Sequence, residues 1–143
     1  MALGVASGLW LLPGPRQVGG IVLDIHTLLY AALAVLIGFQ AILFALLTKI
    51  FAITEGLMPA DPALSRLFKV ITLEKGLLVG VLLQLCGLGT AIYSLLAWNQ
   101  HGFGPMNPQQ TVRLVACALT LGTLGVEITL ASFFFSILGL ARK

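Results

Sequence analysis

Apolar positions in this chain run on in unbroken blocks, separated by short breaks rich in proline and glycine. Three blocks reach the length of about 20 helical residues that a bilayer demands. They are Thr27 to Phe51, Leu73 to Trp98 and Thr111 to Leu140. Pro59-Ala60-Asp61-Pro62 ends the first, and Gly102-Phe103-Gly104-Pro105-Met106-Asn107-Pro108 ends the second. A fourth block, residues 1–12, is halted by Pro13-Gly14-Pro15 and is too short to span. No Lys or Arg precedes Arg16, so a signal peptide with its basic start is not indicated. The block reads as the outer half of a spanning helix whose beginning is missing.

The first break holds a further element. Asp61 is a capping residue and Pro62 suits a first helical position. Leu64, Leu67, Phe68 and Ile71 then recur at helical spacing, with Arg66 and Lys69 off that stripe. The pattern predicts a short interfacial helix over 61–72. Its apolar face either dips into lipid or packs on the ends of the bundle.

Composition closes off the alternatives. Of 143 residues, 59% are hydrophobic and 9% charged, with a mean hydropathy of +1.05. A water-soluble domain of this size buries only part of the apolar surface it carries. The fold class is therefore all-α: one integral membrane helical bundle over 1–143, with three full spans, a partial N-terminal helix and a short interfacial one. No room is left for a soluble catalytic domain. The net charge of +3 is carried by loop residues and sets topology, so no nucleic-acid partner is expected. Cys86 and Cys117 sit within apolar helices and read as unpaired small core residues, with no metal-ligand spacing.

Charge then orients the bundle. Lys49, Arg66, Lys69 and Lys75 flank or fill the first break, and Arg142 and Lys143 end the chain, whereas the other side has only Arg16, Arg113 and His101. The positive-inside rule puts the first break and the C-terminus in the cytoplasm, in an inner (plasma) membrane. Trp10, Tyr30, Tyr93 and Trp98 fall at the opposite interface, as an aromatic belt does.

Small residues stripe each span: Thr27, Ala31, Ala34, Gly38, Ala41, Ala45 and Thr48 in the first; Gly76, Gly80, Gln84, Gly87, Ala91 and Ser94 in the second; Ala116, Thr120, Thr123, Glu127 and Ala131 in the third. Such stripes let helices approach closely in lipid, where no hydrophobic drive brings them together. They predict that the three spans pack as one compact bundle. Three polar side chains lie near mid-membrane: Gln40, Gln84 and Glu127. Glu127 is either a proton or substrate site or interhelical glue with Gln84 and Thr123 as partners; a single acid with no basic partner in the membrane favours glue. Gln40 lies nearly opposite the small stripe of its helix, a side that the first half-helix's continuation or another protein would cover.

Asp24 or Thr27 is placed to cap the first span, where the helix dipole favours a carboxylate. Asp24 with His26 supplies too few ligands for zinc. No phosphate-binding loop, nucleophile elbow or zinc motif is present, so no catalytic, cofactor-binding or metal-binding residue is assigned.

Several short runs in order carry a resemblance: Asp24-Ile25-His26-Thr27-Leu28-Leu29-Tyr30, Gly38-Phe39-Gln40, Glu55-Gly56, Thr72-Leu73-Glu74-Lys75-Gly76 and Ser132-Phe133-Phe134-Phe135-Ser136-Ile137-Leu138-Gly139-Leu140. Together they resemble the C-terminal membrane region of bacterial family 2 glycosyltransferases, related to polyprenyl-phosphate and dolichol-phosphate sugar transferases. The resemblance implies a cytosolic GT-A domain ahead of this region, which binds a nucleotide sugar and a divalent metal through Asp-x-Asp. The only aspartates here are Asp24 and Asp61, so the chain holds no such motif and no cofactor of its own. The expected role is membrane anchoring of that missing or separate domain and presentation of a polyprenyl phosphate, with Arg66, Lys69 and Lys75 as lipid-phosphate contacts. Two alternatives stand beside it: a small stand-alone interaction subunit, and a transporter or flippase component that would need a homo-oligomer to enclose a path.

Overall fold

A computed structural model describes residues 1–59, 61, 62, 64, 72–100, 102–105 and 107–140. The predicted interfacial helix and its Arg66 and Lys69 lie almost wholly outside the described residues. The elements are α1 (Ala2–Leu11), β1 (Arg16–Val18), β2 (Ile21–Leu23), α2 (Ile25–Thr54), α3 (Leu73–Gln100) and α4 (Pro108–Leu140). The three long helices of 30, 28 and 33 residues each rise about 40–50 Å at 1.5 Å per residue, enough to cross hydrocarbon with a tilt.

Backbone chemistry moves the ends slightly outward from those read off hydropathy. At α2, Gly56 takes φ 72°, its N–H donates to Ile53 O (3.2 Å) and the Leu57 N–H donates to Ala52 O (2.8 Å). That paired closure carries the helix to Thr54 before a residue able to adopt a left-handed conformation stops it. The same closure ends α3, where the Gly102 N–H donates to Asn99 O (2.9 Å) and the Phe103 N–H donates to Trp98 O (3.1 Å). The Phe103 ring then stands edge-on to Trp98, centroids 5.0 Å apart. At α4 the Asn107 side chain accepts from the Gln109 N–H (3.1 Å). With Pro108 in the first turn, this starts the helix three residues ahead of Thr111.

Between α1 and α2 a β-hairpin pairs Arg16 with Leu23 and Val18 with Ile21. Its turn is Gly19-Gly20, with φ 55° and 84°, the backbone signs that a tight two-residue hairpin needs. The hydropathy reading contains no such element.

The packing is centred on α4. α3 lies antiparallel to α4 along its length, α2 lies parallel to α4 on another side, and α1 covers one half of α2. Among the described residues α2 and α3 each meet α4 far more than each other, so α4 is the centre of the one bundle that the sequence suggested. Contacts are made by small residues. A Cβ added at Gly80 would stand 2.9 Å from Gly125 O, and one at Gly87 would stand 2.7 Å from Gly122 N and 2.8 Å from Ala118 O. Backbone therefore rests on backbone, the geometry that gives lipid-embedded helices their van der Waals gain.

The α3 stripe is as expected, with Gly80, Gly87 and Ser94 buried. The α4 stripe is not. Ala118, Gly122, Gly125, Thr129 and Ser132 face α3, while Ala116 and Ala131 pack against α1 and α2 and Thr123 is exposed. On α2, Ala31, Ala34 and Gly38 receive α1, and Met1 lies at the depth of Gly38; Ala41, Ala45 and Thr48 are exposed. Large apolar side chains such as Phe44, Leu130 and Ile137 point outward. This small-in, large-out arrangement belongs to lipid rather than water.

Candidate functional site

Polar chemistry gathers at three depths. At the end of the bundle that holds the hairpin, Arg113 near the start of α4 donates to Asp24, and also to the Leu11 carbonyl at the end of α1. The Gln109 amide donates to the other oxygen of Asp24 at 3.0 Å. Asp24 occupies the N-cap position of α2, but its side chain makes no capping bond. The expected cap is thus replaced by a cross-helix ion pair. Its cause is that α4 begins beside α2 and presents a guanidinium, a stronger partner than a backbone amide. The same guanidinium adds a second donor to the Leu11 carbonyl, which also accepts from the Gly14 N–H (3.2 Å), at a helix end where the dipole favours a cation. One residue therefore ties α1, α2 and α4 together. Trp10, Tyr30, Tyr93 and Trp98 are all exposed around this end, and the Trp98 indole donates to Gly104 O at 3.1 Å.

At mid-depth, Gln84 of α3 donates to Thr129 Oγ1 of α4 at 3.1 Å, and that hydroxyl donates onward to Gly125 O at 2.9 Å. Gln84 thus links α3 to α4 through Thr129. Neither Gln84 nor Thr123 bonds Glu127. Replacing Gln84 with Leu removes one interhelical bond and leaves Thr129 bonded to its own helix. The expected loss is about 0.6–1.7 kcal/mol, read as a small fall in unfolding midpoint in detergent; no fall would mean that the bond adds nothing in lipid.

Glu127 faces the other side of α4. With Gln40, Leu43, Phe44, Leu130 and Phe134 it lines a groove of about 280 Å³ between α2 and α4. Its Oε2 is buried without a hydrogen-bond partner among the described residues. Gln40 is brought to the same groove and is exposed.

At the remaining end, Lys49 of α2 pairs with Asp61. Leu64, only 4% exposed, packs with Ile50, Ala131 and Phe135. Asp61 and Leu64 are therefore held on the ends of α2 and α4. Lys75, in the first turn of α3, is exposed at this end, its N–H 3.4 Å from Thr72 Oγ1. Lys49, Ile53, Met58, Pro59 and Asp61 border a second hollow of about 280 Å³ here.

In the sequence Arg113 and Lys49 stand out only as topology charges. The carboxylates at Asp24 and Asp61, alone among their neighbours, were the available signal. Cys86 is exposed rather than in the core, and Cys117 is half-buried; neither is in a disulfide.

Residues 46–139 match the C-terminal transmembrane region of glycosyltransferase family 2. The chain is also similar to the low-salt glycan biosynthesis hexosyltransferase Agl6 of Haloferax volcanii, 29% identical over 124 residues. That alignment takes in 86% of this chain and 29% of the relative, so the chain spans less than a third of the protein it matches. No solved structure matches. Of the three helices long and apolar enough to cross a membrane, α3 and nearly all of α4 fall within the matched region and α2 enters it with its last turns, and the chain belongs to the C-terminal transmembrane region of the family 2 glycosyltransferases.

Proposed function

We propose that this chain is the membrane part of an enzyme that passes a sugar to a polyprenyl phosphate, anchoring the catalytic domain and steadying the acceptor's phosphate. The observation that supports this reading is the pattern of basic residues around the link between α2 and α3. Lys49 and Lys75 stand at one end of the bundle, and Arg66 and Lys69 lie between them in the sequence. A polyprenyl phosphate places its charge at such an interface and its chain beside the helices, where lysine and arginine are suited to an anionic headgroup. The positive-inside rule assigns this end to the cytoplasm, so the hairpin and aromatic belt face the other way. The chain has no Asp-x-Asp to hold a metal-bound nucleotide sugar, and transfer belongs to the catalytic domain.

Arg66→Gln, Lys69→Gln and Lys75→Gln in the intact enzyme test the reading. Apparent KM for the lipid acceptor should rise several-fold with each, and further when they are combined, while KM for the sugar donor stays put. That split marks loss of acceptor binding rather than of chemistry. An unchanged acceptor KM in the triple variant removes these residues from acceptor recognition.

A further inference from the structure

The groove between α2 and α4 holds an unmet demand. A carboxyl in the middle of a membrane helix is costly unless hydrogen-bonded, yet Glu127 meets no partner among the described residues and its Oε2 is buried unpaired. Beside it, on the same groove, stands the exposed amide of Gln40 with two N–H donors. α2 and α4 run parallel here, as the pairing of Leu28 with Ala116 at one end and Ile50 with Phe135 at the other shows. Donor and acceptor therefore sit at one depth on one lipid-facing surface.

We infer that this groove is a self-association surface, on which a second copy of the chain docks so that Gln40 of each copy donates to Glu127 of the other. A two-fold axis along the membrane normal keeps both copies at the same depth and meets like surface with like surface. Such an interface requires a patch that carries its own complement, and Gln40 beside Glu127 is one. The terminal torsion of a glutamate is soft, so the carboxyl turns toward the groove mouth with little strain. Phe44 at 70% exposure, Leu130 at 62% and Phe134 at 57% supply the apolar ridges around the polar centre. The surface is distinct from the α3–α4 seam and from the basic end of the bundle, so the inference stands apart from the acceptor reading.

The test is Förster transfer between copies of the whole polypeptide carrying donor and acceptor fluorescent proteins, in vesicles over a range of protein-to-lipid ratios. Wild type should associate. Gln40→Leu and Glu127→Leu should each weaken self-association about tenfold, as loss of two interhelical bonds at the low end of their range implies. Glu127→Gln, which keeps an acceptor, should associate nearly as wild type. Mixing the Gln40→Leu copy with the Glu127→Leu copy restores one of the two bonds, so the mixed pair should associate more tightly than either variant alone. Gln40 is exposed and its replacement leaves the fold intact, so the result is readable even if Glu127→Leu misfolds. A wild type that stays monomeric at every ratio overturns the inference, as does a Gln40→Leu protein that associates like wild type.

Discussion

Gly87→Leu should force α3 off α4, while Gly89→Leu, two residues along the same helix, should leave the pair in place. A Cβ at Gly87 would lie 2.7 Å from Gly122 N and 2.8 Å from Ala118 O, whereas one at Gly89 meets nothing within 4 Å. Both obstacles at Gly87 are backbone, so no side chain can turn aside and the helices themselves must separate. Overpacking a close contact costs about 1–3 kcal/mol when side chains can yield; here the cost should sit at or above the top of that range. Separation also strains the Gln84–Thr129 bond one turn away. Unfolding midpoints in detergent, followed by helical circular dichroism, should show a large fall for Gly87→Leu and little for Gly89→Leu. Gly122→Ala is a control on the facing helix, because its added methyl meets nothing within 4 Å. Equal midpoints for the two leucine variants would show that the α3–α4 seam is not where the structure puts it.

The same glycines show what the sequence could reveal. On α3 the small residues fall on one stripe and face one neighbour, so spacing alone located the seam. α4 carries two small stripes, Ala116 to Ala131 and Ala118 to Ser132, because it packs on both sides. Spacing tells that a face is small; it does not tell which helix meets it. The strands were missed for a different reason. Arg16-Gln17-Val18 and Ile21-Val22-Leu23 are too short for periodicity to register, and Gly19-Gly20 was the one local clue to a tight turn. Asn107-Pro108 likewise announced the start of α4, but hydropathy outweighed it. Among the polar groups, the mid-membrane positions of Gln40, Gln84 and Glu127 were legible. Their partners were not, because Gln84 meets Thr129 across 45 residues of chain. Asp24 meets Arg113 across 89, and no local spacing encodes either.

Arg113→Leu should loosen the hairpin end of the bundle without disturbing the α3–α4 seam. In the native protein the Arg113 side chain is 11% exposed and that of Asp24 21%, so both charges are largely withdrawn from water. Truncating one leaves the other a poorly compensated charge, which in fully buried pairs costs about 3–5 kcal/mol. The remaining exposure and the Gln109 bond to Asp24 reduce that, and about 2 kcal/mol is expected. The loss falls unevenly, because the guanidinium also holds the Leu11 carbonyl. Without it the Leu11 carbonyl keeps only the Gly14 N–H, at 3.2 Å, and α1 is held by its small-residue contacts to α2 and by Leu11 packed on Leu28 and Ala116. Amide exchange should therefore rise in α1 and in residues 16–23 and stay slow along α3 and the facing half of α4. Asp24→Leu alone should show a similar pattern. The double variant Arg113→Leu with Asp24→Leu should be less destabilised than the sum of the two, because each single change strands a charge that the double change removes. Strict additivity would mean that the ion pair contributes nothing and that Arg113 acts only on the carbonyls of α1. Uniformly faster exchange across all helices would mean that the whole bundle unfolds as one unit, and that no single residue ties the hairpin end to it.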